Sequence, residues 1–226
     1  MTAKDIAWSH SALDAFETCP RRYYLTKIAK TVADPPNAEA QWGNRVHKAL
    51  EERLLSNKPL PSGMDIYAPY AEDVLDTARR VGARVEAETK LTLTRSFRET
   101  SWFAKDAWVR CILDFVVTKK DKAVSGDWKT GKPKTDSAQL RLGAAALMHA
   151  RPWINVVHNT FVWLKDGTTT DEVVTRDDLP AIWQEFLPRV ERMEHARQTD
   201  DFPARPSGLC RSWCPVGKTN CEHCGS

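Results

Sequence analysis

Residues 109–131 read VRCILDFVVTKKDKAVSGDWKTG, two runs rich in β-branched and aromatic residues on either side of the polar stretch KKDK. This pattern predicts a β-hairpin. Side chains alternate along a strand, so Asp127 and Lys129 point to one face and Trp128 points to the other. Hairpin pairing can bring Asp114 beside them. Because two carboxylates that share a pocket repel each other unless a cation neutralises them, the hairpin predicts a site for Mg²⁺ or Mn²⁺.

A lysine and a neighbouring helix extend this candidate site. Lys129, two residues after the second Asp, can orient an attacking water or offset the charge that develops on a phosphate. The helical stretch WGNRVHKALEERL places His47 and Glu51 on one face together with Gly43. Taken alone, His47 would be an ordinary, partly exposed helix residue, and a D-x-K tripeptide carries little information. The combination with Asp114 makes the pattern more specific.

The rest of the chain predicts helices before and after a group of strands. Amphipathic patterns and capping residues predict helices over Ser9–Ile28, Ala38–Leu55, Ile66–Lys90, Asp136–Ala150 and Asp177–Arg197. Pro20 predicts a break in the first of these helices near Cys19, and the pattern leaves open whether the third helix is broken near Gly82. Extended patterns predict strands at Leu91–Phe97, Trp102–Phe103, Ile154–Leu164 and Thr169–Thr175. This mixed order predicts an α/β core with a largely antiparallel sheet.

Composition restricts the class of protein without identifying it. The 33 basic residues are nearly offset by 30 acidic ones, so the net charge of +3 does not by itself indicate a nucleic-acid partner. No apolar run is long enough to span a membrane, and the start MTAKDIAWSH has no signal-peptide core, so we expect a cytoplasmic protein with no membrane partner. Thiols stay reduced in that compartment, so the six cysteines predict something other than disulfides.

Four of the cysteines cluster near the C-terminal end, in GLCRSWCPVGKTNCEHCGS. Such clustering is typical of a metal site. A tetrahedral Zn²⁺ site would use Cys210, Cys214, Cys221 and Cys224, with His223 also available. Cys111 lies within the apolar strand and is predicted to be plain core.

Taken together, these segments resemble the RecB-like branch of the PD-(D/E)XK nuclease superfamily. The family motifs are G-x-x-x-H-x-x-L-E, I-x-D, (D/E)-x-K-T-G and a Gln that opens the next helix. They match Gly43, His47, Leu50, Glu51, Ile112, Asp114, Asp127, Lys129, Thr130, Gly131 and Gln139. A Tyr usually follows that Gln by four positions, where this chain has Gly143.

The resemblance implies a fold and roles for the site residues. The fold would be an α/β, restriction-endonuclease-like core, a central mixed sheet flanked by helices, with a C-terminal cysteine-cluster tail. The metal, Mg²⁺ or Mn²⁺, would be held by His47, Asp114, Asp127 and the backbone carbonyl of Trp128. Lys129 would act on the attacking water, and Gln139 would support the site or the substrate.

The two ends of the chain resemble the iron–sulfur members of this branch, which include the AddB nuclease domain, the CRISPR spacer-acquisition exonucleases and phage RecB-like exonucleases. SALDAFETCPRRYYL matches their N-terminal signature, a helix that ends at Cys-Pro. The resemblance implies a [4Fe–4S] cluster held by Cys19, Cys210, Cys214 and Cys221. The tail, residues 203–226, would then pack on the N-terminal helix around Cys19. The tail spacing C-x3-C-x6-C is longer than the usual C-x2-C-x5-C and leaves Cys224 surplus, so the zinc alternative stays open.

These observations predict a single RecB-like nuclease domain over residues 1–226 that hydrolyses phosphodiester bonds in DNA. By resemblance it would be an exonuclease acting on DNA ends or single strands, in recombination, repair or phage DNA processing, with recombination or CRISPR-adaptation proteins as partners. No G-x-x-x-x-G-K-[ST] motif is present, so no helicase activity is predicted.

Two alternatives to an active nuclease stay open. One is a catalytically inactive module that keeps the nuclease fold for DNA binding or assembly. The other is a zinc-stabilised interaction protein in which the D-x-K tripeptide is accidental. The complete set of Asp114, Asp127 and Lys129 favours the active enzyme, because a decayed site would be expected to lose one of them.

Overall fold

The computed structural model describes residues 6–224. The chain divides into two compact units, one formed by Met1–Pro36 with Trp183–Ser226 and the other by Asn37–Ile182. Among residues 6–224, no helix combines the length and the apolar character that crossing a membrane requires. The predicted site residues on the hairpin and on the helix before it all belong to the second unit.

The described residues contain these α-helices: α1 His10–Thr18, α2 Pro20–Tyr23, α3 Ala38–Ser56, α4 Ala68–Val81, α5 Ala138–Ala150 and α6 Leu179–Thr199. A π-helical turn, Tyr24–Ile28, extends α2. The predicted break near Cys19 is confirmed. Cys19 has extended backbone between α1 and α2, and Pro20 opens α2, where its missing N–H costs no hydrogen bond.

The Asn37–Ile182 unit is built on one five-stranded sheet. Its strands are β1 Val85–Leu93, β2 Val109–Lys119, β3 Lys122–Lys129, β4 Val156–Trp163 and β5 Thr168–Thr175. They lie in the order β1-β2-β3-β4-β5, with β3 and β4 parallel and the other neighbours antiparallel. The parallel pair needs a crossover, and α5 supplies it. The prediction of an α/β fold with a mixed, largely antiparallel sheet flanked by helices is confirmed.

The core of this unit packs α3 and α4 against one face of the sheet. Buried side chains from α3, such as Leu50, join Phe115 and Trp128 of the hairpin in one apolar cluster. Gly126 makes this packing possible, because a Cβ at that position would lie 2.2 Å from the ring of Phe115. On α5, a Cβ at Gly143 would lie 2.7 Å from Leu113, so the position where the family usually has Tyr is closely packed here.

Three predictions about the segment before the hairpin are wrong. The helix predicted over Ile66–Lys90 ends at Val81, where Gly82 adopts left-handed backbone with φ 64° and caps α4. The following strand, β1, therefore begins at Val85 and ends at Leu93, rather than running from Leu91 to Phe97. Trp102 and Phe103 form a turn in the loop between β1 and β2, not a strand.

In the other unit, the N-terminal segment and α6 share a small core. Trp8 stacks on Phe186 with ring centroids 6.0 Å apart. Arg197, which is buried, donates a hydrogen bond to the hydroxyl of Tyr23. Glu17 and Arg189 form an ion pair at 2.7 Å. These contacts join the N-terminal segment to α6, which is far from it in the sequence. The two segments therefore form one compact unit.

Candidate active site

Asp114 on β2 and Asp127 on β3 lie together. Both are buried, since Asp114 is 7% exposed and Asp127 is 9% exposed. The β2–β3 pairing places Phe115 opposite Gly126, one residue from each carboxylate. Asp114 Oδ2 accepts a hydrogen bond from the backbone N–H of Trp128 at 2.6 Å. The ring of Trp128 meanwhile packs on Phe115 in the core, with centroids 4.7 Å apart. Trp128 therefore anchors the core with its ring and the site with its backbone.

His47 on α3 is brought to the same pocket. Its Nδ1 lies 3.2 Å from Asp114 Oδ1. Burial lowers the pKa of His47, but the hydrogen bond and the charge of Asp114 outweigh burial, so the pKa lies above its ordinary value. One turn earlier, Gly43 lies close to the segment that follows β3, because a Cβ there would be 3.1 Å from Thr130 Oγ1.

Glu88 on β1 completes a group of ligand atoms that the sequence analysis missed. One ligand atom from each of His47, Glu88 and Asp114 lies within 4.8 Å of the others. The residues before and after Glu88 pair regularly with β2. Glu88 itself, which lies opposite Asp114, has left-handed backbone with φ 50°. Burial and the negative charges of Asp114 and Glu51 raise the pKa of Glu88.

Glu88 was missed because it fell inside the helix wrongly predicted to reach Lys90. The signal that could have found it is the alternation in VEAETKLTL, which has the period of a strand, directly after the helix-ending Gly82. A strand there pairs with the first strand of the hairpin and carries its acidic residue to Asp114.

Asp127, Lys129 and Gln139 form a second, hydrogen-bonded group beside the first. Lys129 Nζ lies 2.7 Å from Asp127 Oδ2 and donates to Gln139 Oε1 at 2.9 Å. Gln139 Nε2 donates to Asp127 Oδ1 at 2.7 Å. Gln139 reaches the site because α5 begins just after β3 ends. Lys129 Nζ also lies 4.7 Å from the ring centroid of Phe161 on β4, so the ammonium group is confined between a carboxylate, an amide and an aromatic face.

The electrostatics of the pocket fit a bound cation. Burial and the charge of Asp114 raise the pKa of Asp127 to about 6, although Lys129 and His47 act in the opposite direction. Two nearly buried carboxylates and a partly buried third are thus incompletely neutralised by the chain's own cations. A nitrogen and two carboxylate oxygens from His47, Glu88 and Asp114 form a donor set that suits Mn²⁺ and, through its oxygens, Mg²⁺.

The structure also brings Cys19 to the C-terminal cysteines, within one unit. Cys19, Cys210, Cys214, Cys221 and Cys224 line a single small pocket, together with His223. Cys19 Sγ accepts the backbone N–H of Arg205 at 3.5 Å. Cys224 is buried, with 3% exposed, and its thiol contacts Cys214 and Cys221. Within the described part of the chain, no three of these sulfurs lie within 4.8 Å of one another. Cys111 is a free thiol on β2, and burial raises its pKa to about 12.

Comparison with known proteins agrees with this geometry. The sequence profile of the PD-(D/E)XK nuclease superfamily matches residues 7–222, so the chain belongs to that superfamily. No curated protein is significantly similar to the chain.

Two solved structures are similar in fold. A candidate exonuclease from Eubacterium rectale is 12% identical, with a TM-score of 0.53, over 93% of this chain and 88% of that one. The structure of SSO0001 is 13% identical, with a TM-score of 0.40, over 93% of this chain and 83% of that one. At these identities the first similarity supports the fold, and the second is too distant to add to it.

Proposed function

We propose that this protein is a metal-dependent DNA nuclease, and that it acts as an exonuclease on DNA ends or single strands. The observation that carries the proposal is the adjacency of two groups. His47, Glu88 and Asp114 offer ligands for a divalent cation, and Asp127, Lys129 and Gln139 form a hydrogen-bonded group beside them. Membership of the PD-(D/E)XK nuclease superfamily supports phosphodiester hydrolysis. The structural similarity to a candidate exonuclease is consistent with the exonuclease assignment.

In this proposal His47, Glu88 and Asp114 hold Mg²⁺ or Mn²⁺, with Asp127 and the carbonyl of Trp128 as further ligands from the sequence analysis. The cation, when bound, polarises the phosphate and makes a water molecule more acidic. The backbone N–H of Trp128 fixes the orientation of the Asp114 carboxylate. Gln139 positions Lys129 and Asp127 at once, so the ammonium group can orient the attacking water or offset charge on the phosphate.

The cysteine pocket is proposed to hold a [4Fe–4S] cluster through Cys19, Cys210, Cys214 and Cys221. Cys19 lines the same pocket as the cysteines of the tail, which supports the ligand set that the resemblance implies. The matched range, residues 7–222, includes both Cys19 and Cys221, which supports the proposal of one nuclease domain that contains most of the tail.

The setting of the activity rests on the family resemblance alone. We propose recombination, repair or phage DNA processing, in the cytoplasm, with recombination or CRISPR-adaptation proteins as partners.

The direct test is incubation of the purified protein with end-labelled single-stranded and duplex DNA, with and without Mn²⁺. We expect metal-dependent cleavage that starts at ends. Asp114→Asn keeps an acceptor for the Trp128 N–H but removes a charged ligand, so the rate should fall by at least about 10²-fold. Asp121→Asn, an exposed residue of the hairpin turn, is the matched control. Undiminished cleavage by a well-purified Asp114→Asn protein would contradict the site assignment.

A further inference from the structure

A group of exposed and partly exposed aromatic and basic side chains lies on β1, β2 and the loop between them. We call Lys90, Trp102, Phe103 and Arg110 the aromatic–cation patch. The Arg110 guanidinium lies 5.4 Å from the ring centroid of Trp102 and 5.9 Å from that of Phe103. Lys90 Nζ lies 5.8 Å from the centroid of Trp102. Phe103 is 86% exposed, more than any other exposed large hydrophobic residue in the described range.

The patch continues directly from the proposed metal site. Lys90 is two residues beyond Glu88 on β1, and it pairs with Ile112, which is two residues before Asp114 on β2. Ile112 is itself 40% exposed. Residues two apart on a strand are separated by about 6.7 Å between their Cα atoms, and Lys90 is close enough to Glu88 to affect the pKa of that carboxyl group. A polymer whose backbone passes the metal site would meet the patch next.

The loop that carries the aromatic rings is held in place by backbone hydrogen bonds. Thr100 N–H donates to the Thr92 carbonyl at 2.9 Å, and Trp108 N–H donates to the Leu93 carbonyl at 2.8 Å. Within the loop, Ala104 N–H donates to the Ser101 carbonyl at 3.0 Å and closes a turn around Trp102 and Phe103. The exposed ring of Phe103 is therefore presented from a fixed turn.

Charge and hydrogen bonding indicate an anionic occupant. Residues 89–110 contain five basic and two acidic residues, a net charge of +3 that equals the net charge of the whole chain. Arg110 is partly exposed, so its guanidinium can form charge-assisted hydrogen bonds with a phosphate.

We propose that the aromatic–cation patch binds unpaired nucleotides of a single-stranded DNA next to the phosphate at the metal site, which makes single strands the preferred substrate. This inference rests on the proposed nuclease function. Phe103 stacks on a base, while Lys90 and Arg110 contact phosphates, the combination typical of sequence-independent single-strand binding. A duplex keeps its base faces stacked inside, so it cannot use the exposed ring in this way.

The test separates binding from cleavage. Affinity for a fluorescein-labelled oligothymidylate is measured by anisotropy in EDTA, over a series of KCl concentrations, with the full-length protein. Phe103→Ala should weaken binding by about fivefold or more, the loss that one base–aromatic stack produces. Lys90→Ala should reduce the slope of log affinity against log salt by about 0.7, as expected when one single-strand phosphate contact is lost.

The controls are exposed residues of the same unit that lie outside the patch. Trp153→Ala, in the turn between α5 and β4, removes a ring that is 59% exposed, and Lys122→Ala removes an exposed charge at the start of β3. Both should bind like wild type, and circular dichroism should show that all variants are folded. Equal affinity of Phe103→Ala, Lys90→Ala and wild type, or a preference for duplex competitor, would overturn the proposal. Because no cleavage is measured, these outcomes are independent of failure of the nuclease assignment itself.

Discussion

At the scale of single residues, the acidic side chains of the pocket fall into two groups with different partners. Glu88 and Asp114 face His47, whereas Asp127 is held by Lys129 and Gln139. The charge of Glu88 in the first group is offset in part by His47 and by Lys90. The second carries its own cation. Substitutions in the two groups should therefore affect different measurements.

Glu88→Gln should weaken Mn²⁺ binding, measured by isothermal titration calorimetry, on the order of tenfold or more, because the number of charged ligands sets cation affinity. The amide keeps the size of the side chain and relieves repulsion from Asp114. Glu99→Gln, exposed in the loop between β1 and β2, is the matched control. An unchanged Mn²⁺ affinity in Glu88→Gln would remove Glu88 from the ligand set.

Lys129→Ala should lower the turnover number while Mn²⁺ affinity and most DNA affinity are kept. The reason is that its ammonium group acts on the attacking water or the developing charge, which exist only during the reaction. Single-turnover cleavage and equilibrium binding, measured on the same DNA, distinguish the two effects. Lost DNA affinity with a normal single-turnover rate would instead make Lys129 a phosphate-binding residue.

The pKa of Asp127 predicts how stability depends on pH when metal is absent. A carboxyl group whose pKa is raised from 3.8 to about 6 by folding stabilises the fold below the lower value and loses that contribution as the pH rises through the higher one. The difference corresponds to roughly 3 kcal/mol. The raised pKa values of His47 and Glu88 act in the same direction.

Urea unfolding in EDTA, near pH 4 and near pH 8, checks this prediction. The free energy of unfolding of wild type should fall between the two pH values by more than that of Asp127→Asn, which stays neutral at both. Added Mg²⁺ should restore stability at the higher pH. Equal pH dependence of the two proteins would mean that folding does not raise the pKa of Asp127.

At the scale of elements, the hairpin could be predicted from sequence and its neighbour could not. The β2–β3 pair is predicted by its local alternation and its polar turn. Its pairing then predicts that Asp114, Asp127 and Lys129 lie together. The first part of β1, VEAETK, was predicted as helix because it is polar enough to extend the helical pattern of α4. Only pairing with β2, a contact distant in sequence, makes it a strand.

For Gln139, the sequence predicted the element but not the contacts, because these contacts depend on how β3 and α5 are connected. A motif placed Gln139 at the start of a helix, but its contacts with Asp127 and Lys129 arise because β3 is followed by a crossover helix. Glu88 had neither a motif nor a correctly predicted element. The structure was needed to find it.

Gly126→Ala should destabilise the protein by about 1–3 kcal/mol, the usual cost of inserting a methyl group into a packed core. A Cβ there would lie 2.2 Å from the Phe115 ring and 2.9 Å from Thr160 Cγ2, so the hairpin must shift. Gly131→Ala is the matched control, because a Cβ there meets nothing within 4 Å. Thermal unfolding measures both. Equal melting temperatures would contradict close packing at this position.

At the scale of the whole molecule, the cysteine pocket links segments from the two ends of the chain. Cys19→Ala should bleach the brown colour expected of anaerobically purified protein with a cluster. It should also lower stability by a few kcal/mol, since a crosslink that closes a very long loop is lost. Visible absorbance, iron content and urea unfolding are the measurements, and Cys111→Ala, on β2, is the control.

Cys224→Ala separates the cluster from a zinc site in the same pocket. It should leave the colour intact if Cys221 is the last cluster ligand, although Cys224 is buried against Cys214 and Cys221. A colourless anaerobic protein with one zinc, retained in Cys19→Ala, would establish a zinc site confined to the tail. The nuclease proposal would survive that result, because its residues lie in the other unit.

Trp128 packs its ring in the core and donates its backbone N–H to Asp114. These two contacts determine what happens when the hairpin pairs in the wrong register. If β3 slipped by one position against β2, every side chain of the strand would change face. The indole ring would enter the acidic pocket and a carboxylate would enter the apolar cluster. A hairpin that is slipped in this way is therefore both inactive and poorly packed. Protease treatment of a preparation should then remove slipped molecules and leave the metal-dependent cleavage activity unchanged.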